Sequence, residues 1–478
     1  MGLGQDQAIR PFKVTVRKEE VVAPVLPLQE HWLPMSNLDL LLPSFDFSVF
    51  FCYEKPPVAS GLDHDHKDEP DATLGSFNTH VGVLKKAMAQ ALVPFYALAG
   101  EVVQNSIGEP EIFCNNRGVD FLEAFAEVEL EELDFYNPDE SVEGKLAPQK
   151  KRGVMAVQAT ELKCGGLVVA CSFDHRVADA YSANMFLVSW AESAQSKPIT
   201  CLPFFRRSLL NPRRPGRIDP SCDNMYISVT SLPPPKDPPP SVDNHRLTSR
   251  IYYVKAEQLD RLQSLASSES CKRTKLESFS ALLWKTMAKS SPITDAEKLC
   301  RVGIVVDGRR ALTDTGDKVS MNAYFGNVLS IAFTGKKVGD LVEEPLNRVA
   351  GEVHGCLEGV ATKEHFLGLI DWVEALRPVP GITRVYTYER EEGPSFVVSS
   401  GQRFPVSEVD FGWGRPFFGS YHFPWGGDCG YVMPMPVPAG GGDWVVYMLL
   451  FGWQLEMIEK EASHVFQPLT FEYLKNQL

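Results

Sequence analysis

A chain of 478 residues is too long for one ordinary globular core, and its length points to two or three domains, with two the better match. Hydrophobic residues make up 44% and charged residues 23%, a balance that fits a folded soluble protein and excludes global disorder. A formal net charge of -14 without any long basic run argues against a nucleic-acid partner, while leaving room for a local basic pocket that binds a small anion.

The ten cysteines are scattered from Cys52 to Cys429 without a CxxC pair, so neither a zinc ribbon nor a disulfide framework is indicated and reduced, mostly buried thiols are expected. The first residues, MGLGQDQAIRPFKVTV, lack the apolar core of a secretory signal. No window offers the roughly 18 apolar residues of a membrane helix. A cytoplasmic protein with no membrane partner is expected.

Alternating apolar positions predict an opening strand over residues 12–16, and the β-formers of residues 45–53 predict another. Residues 81–98 carry apolar side chains at helical spacing and predict a helix ending near Gly100. Residues 166–173 form a continuous apolar, β-branched run expected to be buried on both faces. DHRVAD follows at once, and residues 180–192 then predict a helix. His175 therefore lies on a strand-to-helix connection, where a rigid support can present a reactive group.

Residues 211–250 change character, because the triplets 233–235 and 238–240 are all proline and predict an extended, poorly packed linker. Beyond it come predicted strands over residues 250–254 and 302–306, a helix over residues 275–288, and the strand Trp444–Phe451. The resulting division is an N-terminal domain over 1–200, a crossover linker over 201–248 and a C-terminal domain over 249–478, each domain α/β or α+β.

His175 and Asp179 stand four apart in His-Arg-Val-Ala-Asp. A histidine titrates near neutrality, so it can take a proton from an attacking nucleophile and return it to a leaving group. By themselves the two residues also fit a structural histidine near an aspartate. A second element, Asp410-Phe411-Gly412-Trp413-Gly414, lies well over 200 residues downstream. Together, HxxxD in mid-chain and DFGWG near the C-terminus resemble the BAHD acyl-CoA-dependent acyltransferases of plants. Further matches are Leu38-Asp39, residues 92–100, residues 204–210, Val306-Asp307-Gly308-Arg309 and Tyr324-Phe325-Gly326-Asn327.

The resemblance implies an α/β fold of two similarly built chloramphenicol-acetyltransferase-like domains, joined by a long crossover loop, with an active-site channel between them. It implies that His175 is the general base, that Asp179 is structural and pairs with Arg309, and that Asp410, Gly412 and Gly414 hold a loop rather than react. The indole of Trp413 becomes an oxyanion candidate, against the plainer reading of an aromatic packed in a glycine-rich loop. An acyl-CoA co-substrate, no permanently bound cofactor and a monomeric protein are expected from the resemblance.

CoA phosphates need cationic or amide donors. Lys272, Arg273, Lys275 and Ser278 resemble the stretch that contributes to the CoA pocket, with a solvated basic helix start as the alternative. His64 and His66 could imitate a metal site but read as part of a polar surface loop, and no metal is expected.

The opening EHWLPMSNLDLLLP, the segment EIFCNNRGVDF and CSFDHRVADAYSANMFLVSWAE look like the coniferyl alcohol acyltransferase subgroup. Shikimate-using relatives carry Thr-Ser-Trp where this chain has Ser399-Ser400-Gly401, assigned here to the acceptor pocket. Loss of that indole is expected either to open room beside His175 or to reflect a glycine needed for positive φ. The expected reaction is O-acylation of a phenylpropanoid alcohol. N-acylation of an amine to a phenolic amide or piperamide is the alternative, and a non-catalytic binding protein is the third reading, against which the intact motifs weigh.

Overall fold

The apolar runs of the sequence become the inner strands of two mixed sheets. In the computed structural model the described residues are 12–55, 72–233, 246–269, 271–313, 320–388 and 392–477. His64 and His66 lie outside them. The first sheet has the spatial order Val14–Val22, Val119–Ala126, Met155–Leu162, Leu167–Asp174, Asp46–Tyr53, Phe418–His422. The second has the order Leu329–Lys337, Leu299–Asp307, Ser395–Val398, Gly430–Pro436, Trp444–Phe451, Leu247–Val254, Gln467–Pro468.

Every residue of Leu167–Asp174 and of Trp444–Phe451 is buried, which is what their unbroken apolar character requires. Val14–Val22 is longer than the alternation predicts. It continues through the charged Arg17-Lys18-Glu19-Glu20 because it is an exposed edge, and its register shifts between Val16 and Lys18. Charge and irregularity of this kind protect an open sheet edge from further pairing.

The expected helix over residues 81–98 is two pieces. An α-helix, Ala72–Ala91, ends early, and a separate 3-10 turn spans Tyr96–Ala99. Pro94 lacks an N–H and disfavours helical geometry at Val93, so apolar spacing alone could not carry the helix through. Ala72–Ala91 packs beside Ala180–Ala194, where the indole of Trp190 donates to the carbonyl of Leu84 at 2.9 Å. On the second sheet, Lys275–Lys289 packs with Ala256–Ala266 and Leu346–Glu358 around Trp284, Met287 and Val353.

The linker region is better packed than its prolines suggest. Leu210, Cys222, Met225 and Tyr226 are buried in a third apolar cluster with Phe366, Leu369 and Ile370 of the helix Lys363–Leu376. Tyr226–Ser228 pairs with Gly381–Thr383 as a short two-stranded ribbon. Apolar residues upstream of the proline triplets had a surface to bury against, which composition does not reveal.

The strand Phe418–His422 crosses back from the C-terminal half and pairs antiparallel with Asp46–Tyr53, Phe418 opposite Cys52 and His422 opposite Ser48. It adds an edge to the first sheet directly beside the strand pair that leads to His175.

Candidate active site

His175 follows the last residue of Leu167–Asp174, so the rigid central strand fixes its backbone. Its N–H donates to the Phe45 carbonyl at 3.0 Å, and its own carbonyl accepts from the Asn327 side-chain amide at 2.9 Å. Asn327 is in turn held by Asp39, whose Oδ1 accepts from the Asn327 backbone N–H at 2.7 Å and from its amide at 3.0 Å. The imidazole stands edge-on to Phe45 and Phe47, at centroid distances of 5.1 and 5.0 Å. Its Nδ1 is buried and makes no hydrogen bond to another residue. Burial holds the ring below the ordinary histidine range, against smaller opposing effects from its own backbone carbonyl and Asp179, so the neutral form prevails near pH 7.

Asp179 points away from this ring. It caps the helix Ala180–Ala194, accepting from the Ser182 N–H at 2.9 Å. It also receives Arg309 through Nη1 at 2.8 Å and Nη2 at 3.1 Å, and both side chains are 1% exposed. Arg309 further donates to the carbonyl of Gly326 at 2.7 Å. The pair therefore ties the helix behind His175 to the segment that carries Asn327. A buried charge pair survives only when its hydrogen-bonding capacity is filled, and here it is.

Asp410 closes a turn on itself, its Oδ1 accepting from the N–H of Gly412 at 2.8 Å and of Gly414 at 2.9 Å. Both glycines have positive φ, +107° and +110°, where a β-carbon is strained. Trp413 packs edge-on to His80 at 4.7 Å and Tyr53 at 6.1 Å, outside the cavity that holds His175. The oxyanion assignment is corrected accordingly. Trp413 does not line that cavity and packs as an aromatic of the glycine-rich loop.

That cavity measures about 430 Å³ and is walled by both sheets. Beside His175 its lining includes Phe45, Phe47, Tyr386, Phe423, Trp425 and Tyr431. Trp425 meets Tyr386 edge-on at 4.9 Å, and Phe423 meets Tyr431 at 5.1 Å. Ser399, Ser400 and Gly401 also line it. Gly401 does not leave the expected room, however. A β-carbon there would stand 2.6 Å from Met435 Cγ and 2.8 Å from the Pro434 carbonyl, and its φ is not positive. Close approach of the neighbouring strand is the reason for this glycine. An indole does stand in the wall, supplied by Trp425 from another segment.

The sequence reading missed Trp425, which sits in a loop, and Tyr386, which ends the single 3-10 turn Arg384–Tyr386, both segments too short for aromatics to carry a periodic signal. It also missed a polar corner. His365, 1% exposed, lies 2.8 Å through Nε2 from the hydroxyl of the cavity-lining Ser330, which lies 2.8 Å from the Tyr226 hydroxyl.

The expected CoA residues lie apart from this cavity. Thr274 caps Lys275–Lys289 in a capping box with Glu277. Lys275 pairs with Asp260 at 2.7 Å, Lys272 is exposed, and Arg273 keeps a buried Nη1 without a partner. Ser278 is corrected, since its hydroxyl is fully buried and donates to the Thr274 carbonyl at 2.8 Å, a bond internal to the helix start.

A hydroxycinnamoyltransferase of Narcissus pseudonarcissus is 29% identical over 420 residues, covering 85% of this chain and 89% of that protein. Anthranilate N-benzoyltransferase protein 1 of Dianthus caryophyllus is 27% identical, covering 94% and 99%. Among solved structures, vinorine synthase superposes with a TM-score of 0.66 at 20% identity over 95% of this chain and 99% of its own. F. graminearum TRI101 complexed with coenzyme A and deoxynivalenol gives 0.72 at 15% identity over 91% and 99%. Both share the two-domain acyltransferase fold. The Transferase family profile matches residues 12–465, nearly the whole chain, and the protein is therefore an acyltransferase belonging to this family, the BAHD transferases.

Proposed function

We propose that the protein transfers an acyl group, acetyl or hydroxycinnamoyl in type, from an acyl-CoA to the hydroxyl of a phenylpropanoid alcohol such as coniferyl alcohol. The observation that carries this reading is a neutral, buried His175 at the wall of an aromatic cavity of about 430 Å³. Flat aromatic walls suit a planar phenylpropanoid. His175 takes the proton from the acceptor hydroxyl as its oxygen attacks the thioester carbonyl. The tetrahedral adduct then collapses, the C–S bond breaks, and the histidine returns the proton to the departing thiolate. Direct attack is supported because no cysteine lines the cavity among the described residues. The chain has no GxSxG elbow either.

CoA phosphates would be met by Lys272, Arg273 and Lys275, with the unpaired Nη1 of Arg273 the strongest support for that assignment. N-acylation is the second reading, favoured by the similarity to N-benzoyltransferases of Dianthus caryophyllus across 94% of the chain. Incubation with a panel of acyl-CoAs and a mixed pool of aromatic alcohols and amines, read by mass, tests both. Esters of coniferyl-type alcohols are expected. Amide products alone would replace the first reading with the second, and no product from either pool would overturn both.

A further inference from the structure

Away from the cavity, three side chains from two distant parts of the chain converge where the two sheets meet. Asp139 lies in the short helical turn Pro138–Ser141, and Glu143 follows four residues later on the same face. His422 is the last residue of the crossing strand Phe418–His422. One ligand atom of each lies within 4.8 Å of the others. His422 is 1% exposed, yet neither of its ring nitrogens has a hydrogen-bond partner. Its Nε2 stands 3.8 Å from Glu143 Oε2, beyond hydrogen-bond range. Asp139 is oriented by its other oxygen, which accepts from the Ser249 N–H at 2.8 Å, while Oδ1 is buried and unpaired. Tyr447, which contacts His422 edge-on at 5.9 Å, lies within 2.9 Å of the Ser249 hydroxyl and so helps complete the frame.

Buried polar atoms left unpaired are costly and call for a partner. Three such atoms, Asp139 Oδ1 and both ring nitrogens of His422, lie here beside the part-exposed carboxylate of Glu143. We propose that Asp139, Glu143 and His422 form a binding site for one divalent transition-metal cation of the Zn²⁺ class. Mixed imidazole and carboxylate donors suit Zn²⁺ or Co²⁺, whereas Mg²⁺ and Ca²⁺ prefer oxygen alone. Metal–ligand bonds of about 2.0–2.2 Å require the donors to close in by roughly an ångström. Glu143, whose side chain is 39% exposed, has the freedom to do so. Arg246 also acts on Glu143, which tempers the negative charge without supplying a ligand. The site is structural: it joins the crossing strand to the turn at Asp139, and through Ser249 to Leu247–Val254 of the second sheet.

The test uses the whole chain, stripped with chelator and titrated with Co²⁺ by visible absorption and with Zn²⁺ by calorimetry. One saturable site per chain is expected. Zn²⁺ at a hundredfold excess over Kd should raise the folded-to-unfolded ratio about 100-fold, read as a higher melting temperature. Glu143→Gln and Asp139→Asn keep side-chain shape, and each should weaken binding at least about tenfold and lessen the Zn²⁺-dependent rise in melting temperature. Absence of saturable binding up to millimolar metal would overturn the proposal. So would binding unchanged in both variants, which places the metal elsewhere, or a thiolate-to-cobalt charge-transfer band, which places it on the free cysteines.

Discussion

At the scale of single residues, His175 decides the chemistry. Replacing it with Ala should lower turnover about 100-fold to 10,000-fold while CoA binding persists, measured by initial rates and by calorimetry with CoA. Near-normal turnover in a folded variant would remove it from the mechanism. Its pKa is lowered from 6.5 by burial, so the free base survives to more acidic pH. The acid limb of kcat/KM should therefore fall below pH 6.5, and a limb centred above it would contradict a buried neutral base. The same shift links to stability. A depressed folded pKa contributes stability fully present above 6.5 and lost as pH falls through the folded value. Gly401 is constrained by Met435 and Pro434 rather than by φ, so Gly401→Ala should itself destabilise by about 1–3 kcal/mol, seen in thermal melts. A wild-type melt for that variant would show that the neighbouring strand yields.

Elements transmit these positions. The cap and ion pair at Asp179 fix the start of Ala180–Ala194 against the short helical turn Arg309–Leu312, and removal of one partner strands the other charge in the core. Asp179→Ala should cost about 3–5 kcal/mol and lose activity with stability. A variant that melts like wild type and yet is inactive would point instead to a direct part in the reaction. The DFGWG turn behaves differently. Gly414 has open space around it but a φ of +110°, so Gly414→Ala probes backbone strain alone. A loss of about 1 kcal/mol or more in stability, with kcat retained, is expected from calorimetry and kinetics together. A selective fall in kcat would place the turn closer to the chemistry than its packing on Tyr53 and His80 suggests.

For the whole molecule, the crossing strand makes the two halves interdependent. Asp46–Tyr53 is covered on one side by Leu167–Asp174 and on the other by Phe418–His422. A fragment of residues 1–233 would expose that apolar edge, a ready template for aggregation. Expressed alone it should fail to give a cooperative melt, whereas the full chain should. A soluble, cooperatively folding fragment would show that the first sheet closes without its last strand.

What was legible in the chain is the local chemistry. Strands such as Leu167–Asp174 announce themselves by unbroken apolar character, the turn at His175 by its place after one of them, and the motif pair by its spacing. The helix after Asp179 and the capped start of Lys275–Lys289 follow from short-range rules that act within a few residues. Tertiary structure alone decided that Phe418–His422 joins the first sheet, that Trp425 rather than residue 401 brings an indole to the cavity, and that His422 meets Asp139 and Glu143. Each of these depends on contacts between residues far apart in the chain. Periodicity is blind to them, because they are set by which surfaces remain to be buried once the local elements have formed.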